Sequence, residues 1–215
     1  MKRRSHLFLC ILTSCILANI PVPVEAIIWK QGIQIVAQRR DLSQTVITKE
    51  DLPNGFKASS PDELAKLKRD LSLGELSTQS VFEFSNDADL AQFGLVRGAT
   101  YLIPDRLGDA NFNSSNSESL VQILTRVMAA MSQRFQGVEL GRQPTQPLTN
   151  LDGIGDFAVG ATRAINVLSV SVRMDVVTFR RGKVVAFLVV GSVDGVRPAV
   201  NIATLARTLD SRIPK

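Results

Sequence analysis

Three clusters in this 215-residue chain carry side chains that could do chemistry. Asp152-Gly-Ile-Gly-Asp156 sets two carboxylates four positions apart in a glycine-rich stretch. Paired carboxylates can work as acid and base, or as acid and nucleophile on a glycoside. No further acid, aromatic platform or sugar-binding pattern accompanies them, and the plainer reading is a turn into a strand with Asp156 capping local amides. Asp109-Ala-Asn111-Phe-Asn113-Ser-Ser115 opens like a calcium loop, with side-chain oxygens at positions 1, 3, 5 and 7. It then departs from the pattern: Ser114 stands where glycine is needed, and Leu120 where the bidentate glutamate belongs. The same residues also serve as the capping segment of the helix that follows. Asn113-Ser114-Ser115 fits a glycosylation sequon, which has meaning only in a eukaryotic secretory pathway. Arg180-Arg181-Gly182-Lys183 puts three cations at a hairpin tip, suited to an anionic partner or to lipid headgroups, or simply to solubility.

Cysteine and histidine bound the chemistry further. Cys10, Cys15 and the only histidine, His6, all fall in the first 26 residues. Those residues have the layout of a secretory signal peptide: a basic start at Lys2-Arg3-Arg4, an apolar run from Leu7 to Ile20, and small residues at Val24 and Ala26. Leu12-Thr13-Ser14-Cys15 alternatively resembles the lipobox of bacterial lipoproteins, with Cys15 as the lipidated residue. Cleavage after Ala26 leaves neither Cys nor His. That excludes disulfide staples, a Ser-His-Asp triad, a Cys-His dyad and zinc sites built on Cys or His. No catalytic residue, cofactor site or metal site is assigned. The formal net charge is +5, and losing Lys2, Arg3 and Arg4 together with Glu25 lowers it by two to +3. This excess is dispersed and not interleaved with aromatics, so nucleic acid is not an expected partner.

The elements that must position these residues follow from periodicity. Leu168, Val170, Val172, Met174 and Val176 alternate with Ser169, Ser171, Arg173 and Asp175, the pattern of a half-buried strand. Val184 to Val190 is apolar throughout, as in a central strand covered on both faces. Arg181-Gly182 marks the reversal between them, and with Asp156 to Gly160 the three pieces predict an antiparallel meander in the middle of a sheet. Ser60, Pro61 and Glu63 form a capping box for a helix carrying Leu64, Leu67 and Leu71, with Gly74 as its stop. Phe82 and Phe84 share one face of a strand over Gln79 to Asn86. A second strand, Phe93 to Ile103, is interrupted by Gly94 and Gly98, the mark of a bulge or a close backbone approach.

Ser115 and Glu118 cap the longest amphipathic helix, with Leu120, Ile123, Leu124, Val127, Met128, Met131 and Phe135 in one stripe. Val138 to Leu140 is a short strand candidate. A final helix opened by Pro198 buries Ile202, Leu205, Ala206, Leu209 and Ile213. Trp29, Phe93 and Tyr101 read as core residues. Arg39-Arg40 reads as solvated surface. The division is a signal peptide over residues 1–26, an N-terminal extension with a strand at Ile33 to Ala37 over 27–50, and a single α+β domain over 51–215.

Gly155-Asp156-Phe-Ala-Val-Gly160, Asp175 to Gly182 and the helix carrying Leu205-Ala206 and Leu209-Asp210 resemble a C-terminal pattern of small exported bacterial proteins with the PsbP-like fold. Leu52-Pro-Asn-Gly-Phe56 is similar to a cue in cyanobacterial members. The resemblance implies an α/β/α sandwich, an antiparallel sheet with helices packed on both faces, and export to the periplasm or thylakoid lumen. It implies no functional residue. Together, the expected function is a non-catalytic exported domain that binds, or helps to assemble, a membrane-associated protein complex, with the membrane surface as a second partner. Arg180, Arg181 and Lys183 are the expected contact. The alternative is a carrier or sensor of a small apolar or lipid-like ligand held beneath the long helix.

Overall fold

The β-branched, apolar run near the end of the chain sets the architecture. The computed structural model describes residues 41–72, 76–86, 93–104, 145–167 and 170–214. In chain order these form β1 (Lys57–Ala58), α1 (Pro61–Asp70), β2 (Ser77–Asn86), β3 (Gly94–Leu102), β4 (Gln146–Pro147), β5 (Phe157–Val167), β6 (Val170–Arg181), β7 (Val184–Val193) and α2 (Ile202–Ser211). The strands make one antiparallel sheet in the order β1-β2-β3-β7-β6-β5-β4.

β7 is central, as its uniform apolarity predicts. Val184, Ala186, Leu188 and Val190 enter the core on one face of the sheet, and Val185, Phe187 and Val189 enter the core on the other. β5, β6 and β7 form the expected meander. On β6, Val172, Met174 and Val176 join the second core, while Arg173 and Asp175 turn to the opposite face, as the alternation requires. Further along that opposite face Val177 and Phe179 are apolar, because α2 covers them.

The expected α+β sandwich is overturned. Five strands of nine to twelve residues dominate, and only two helices of ten residues accompany them among the described residues. Helices packed on both faces would need two amphipathic layers. α2 supplies a broad face through Ile202, Leu205, Ala206 and Leu209, but α1 buries only Leu67 along its length and is otherwise largely solvated. This is mainly a β fold. The helix expected over Leu120 to Phe135 with its Ser115 and Glu118 cap, the Asp109 to Ser115 loop, the sequon at Asn113 and the Val138 to Leu140 strand lie outside the described residues. So do the signal peptide, Cys15, the Ile33 to Ala37 strand, Trp29, Arg39-Arg40 and Gly74.

Local chemistry sets the boundaries. The α1 capping box forms as read: Glu63 N donates to Ser60 Oγ at 3.4 Å, and Ser60 N donates to Glu63 Oε2 at 2.8 Å. α1 ends at Asp70, and the hydroxyl of fully buried Tyr101 donates to the Leu71 carbonyl at 2.9 Å. That bond satisfies one of the carbonyls a helix end leaves open. Gly98 on β3 lies opposite Phe82 and Leu188. A Cβ there would stand 2.4 Å from Phe82 Cζ and 2.5 Å from the Phe187 carbonyl oxygen. The close approach expected from sequence is therefore real; the bulge lies elsewhere, between Thr78 and Ser80.

Leu42 and Ile47 are buried in the same core as α2, so residues 41–50 pack with the sheet. Asp51 fastens it to the end of α2. Arg212 Nη1 donates to Asp51 Oδ2 at 2.6 Å and Nη2 to Oδ1 at 2.8 Å, and Thr48 N adds a bond of 2.7 Å. Burial pushes the Asp51 carboxyl up, but the Arg212 fork and the Thr48 amide and hydroxyl outweigh it and hold it below its ordinary value. A depressed folded pKa stabilises above the unfolded value of about 4 and is lost as pH falls through the folded value. Asp51→Asn should thus lower stability by about 1 kcal/mol near neutrality, a modest figure because Arg212 is partly exposed. The deficit should shrink below about pH 4. Urea midpoints measured from pH 7 to 2 test this, and a deficit independent of pH would contradict it.

Candidate functional site

The β6–β7 tip is a two-residue turn, Gly182-Lys183, between the paired residues Arg181 and Val184. The reversal is one residue later than the Arg181-Gly182 expectation, and Gly182 supplies its positive φ of 55°. Charge-assisted bonds hold the turn from both sides. Gly182 N donates to Asp156 Oδ2 at 2.6 Å, and Arg180 Nε donates to the Gly182 carbonyl at 2.6 Å. Asp156 N in turn donates to the Arg180 carbonyl at 2.6 Å.

The three cations at this tip have different roles. Arg181 folds back onto Asp210 of α2, with Nε to Oδ1 and Nη2 to Oδ2 both at 2.5 Å. Asp210 is almost buried and also accepts from Gly155 N at 3.1 Å. The hydrogen bonds and charge of Asp210 raise the Arg181 pKa above its already high ordinary value. Arg181 is therefore a clamp between sheet, loop and helix. Gly182 and Lys183 are exposed, and Arg180 is half-buried along the turn.

The Asp152–Asp156 pair does not read as an acid–base constellation. The Asp156 carboxylate binds the Gly182 amide, and Asp152 takes part through its carbonyl, which accepts from Arg207 at 3.5 Å. Among the described residues no group of three or more His, Cys, Asp or Glu is placed to hold a metal. No helix among them is long and apolar enough to cross a membrane. Tyr101 is core, as read, and Phe93 packs partly buried against the same core. The wall expected for an apolar ligand, the helix over Leu120 to Phe135, lies outside the described residues.

Sequence reasoning missed a groove at the far end of β6. About 720 Å³ opens beneath the start of α2, lined among others by Asn150, Arg173, Asp175, Arg197, Asn201 and Ile202. Arg173 Nε donates to Asp175 Oδ1 at 2.8 Å; the Asp175 side chain is 8% exposed and that of Arg173 39%. Asn201 Oδ1 accepts from Thr204 N at 3.0 Å and caps α2, so the helix begins at Ile202 and not at Pro198 as expected. Asn150 holds a positive φ of 64°, the one described non-glycine residue to do so. Signals for both the groove and the clamp were present in the sequence. Arg173 and Asp175 are charged positions on a strand of the meander and line the groove, and Asp210, the partner of Arg181, shares the apolar face of α2 with Ala203 and Ala206. No protein-family model matches the chain, and no curated protein matches it.

Proposed function

We propose that this chain is an exported, non-catalytic binding domain that docks through its β6–β7 tip onto a membrane-associated protein complex. The observation that carries the reading is the bracing of the tip. Asp156 and Arg180 fix both polar groups of Gly182, and the Arg181–Asp210 clamp ties the strand end to α2. A braced loop loses little conformational entropy on association, so its contacts translate efficiently into affinity. The signal-peptide-like layout of residues 1–26 supports the location, and the confinement of Cys and His to those residues supports recognition over catalysis.

The structure refines which residues to change. Arg181 belongs to the clamp and Arg180 to the brace of the turn, so the surface test is the charge reversal Lys183→Glu. Tagged full-length chain is recovered from detergent-solubilised envelopes of its own cells. Recovery of a stoichiometric partner should fall about fivefold in this variant, as expected for reversal of a charge at a contact. Its thermal midpoint should stay within about 3 °C of the parent, the range expected of surface substitutions. Undiminished recovery would remove the tip as the docking site.

A further inference from the structure

We propose that the groove at the start of α2 is a binding site for a small oxyanion-bearing solute, a carboxylate or phosphate held between Arg173 and Arg197. The groove is at the opposite end of β6 from the tip, so it is separate from the docking surface. Its charge is unbalanced. Asp175, the single acid among its lining residues, is matched to Arg173, and Arg197 remains as an exposed second cation.

The geometry of Arg173 is suited to the task. Asp175 is nearly buried within the sheet and receives the Nε edge of the guanidinium. That contact orients the group, and the Arg173 side chain, 39% exposed, lines the groove with a planar fork that matches two oxygens of one carboxylate or phosphate. Asp175 therefore acts as a positioning residue for Arg173. The start of α2 adds to the field. Its first turn contains no acid, the Asn201 side chain accepts from the Thr204 amide and hydroxyl, and Ile202 and Ala203 line the groove. A helix start unopposed by its own carboxylates favours an anion beside it. The groove is of a size that suits a small solute, and its polar rim is unlike the apolar pocket expected of a lipid carrier.

The full chain, titrated separately with inorganic phosphate and with succinate, tests this by amide chemical-shift changes. At least one probe should give saturable shifts at residues 197–203, with a dissociation constant in the millimolar range or tighter, the affinity of one well-formed anion contact. Phosphate alone would assign a phosphoryl ligand, succinate alone a carboxylate, and both together a general oxyanion site. Arg197→Ala, an exposed position where folding is not at stake, should weaken binding about tenfold, with Arg173→Lys weakening it through loss of the fork. The tip variant Lys183→Glu should bind as the parent does. No saturable response to either probe, or a response unchanged in both Arg197→Ala and Arg173→Lys, would overturn the site.

Discussion

Arg181→Ala should destabilise the protein by about 3 kcal/mol, which corresponds to a fall of roughly 6–12 °C in Tm for a chain of this size. The reason is what the substitution leaves behind. The Asp210 side chain is 8% exposed, and its oxygens accept from the Arg181 fork and from the Gly155 amide. Without the guanidinium a nearly buried carboxylate loses its charged partner, and a poorly compensated buried charge is far more costly than a lost surface pair. Arg181→Lys keeps the charge but not the two-pronged geometry, so it should restore about half of the loss. Replacing both partners, with Arg181→Met and Asp210→Leu, should lie within about 1 kcal/mol of the parent, because the desolvation cost disappears along with the attraction. Chemical denaturation of the four proteins decides it. A loss below about 0.5 kcal/mol for Arg181→Ala would mean the pair behaves like any exposed salt bridge, and the bracing of the tip would lose its foundation.

Gly98→Ala should cost about 3 kcal/mol, through overpacking at a site where the neighbours cannot retreat together. Phe82 could swing away from a new methyl, but the Phe187 carbonyl belongs to the central strand and is held in the ladder between β3 and β6. Moving it would disturb β7, from which both cores are built. Truncating the ring with Phe82→Leu in the Gly98→Ala background should recover part of the loss, and only part, since the backbone contact remains. Thermal melts of the single and double variants separate the two contributions. Full recovery would show that only the ring was in the way. An unaffected Gly98→Ala protein would mean that β3 and β7 sit further apart than the structure has them.

What the sequence by itself determined is what local periodicity and residue type can report. Alternation over Val170 to Val176 and the unbroken apolar run of Val184 to Val190 specified the meander and the central strand, because the side-chain period of a strand is a local property. Ser60, Pro61 and Glu63 specified the start of α1 through bonds that span only three residues. The glycine in β3 announced a close approach without saying to what. Composition alone confined Cys and His to the first 26 residues.

Tertiary structure decided everything that joins distant positions. The order β3-β7-β6 places β3 beside the last strand, a choice that no local pattern encodes. The same order makes Phe82 and Phe187 the neighbours of Gly98. Three leucines at helical spacing predicted a packed α1, yet its place beside the sheet gives full cover to Leu67 alone within the helix, and so the expected sandwich became a sheet. The cations of the tip were equivalent in sequence. Asp210 separated them by drawing Arg181 inward, across 29 residues of chain. Asp51 and Arg212 meet across 161 residues, and the groove exists only because the start of α2 arrives over the polar half of β6. Periodicity tells which face a side chain takes; what waits on that face depends on how the whole chain packs.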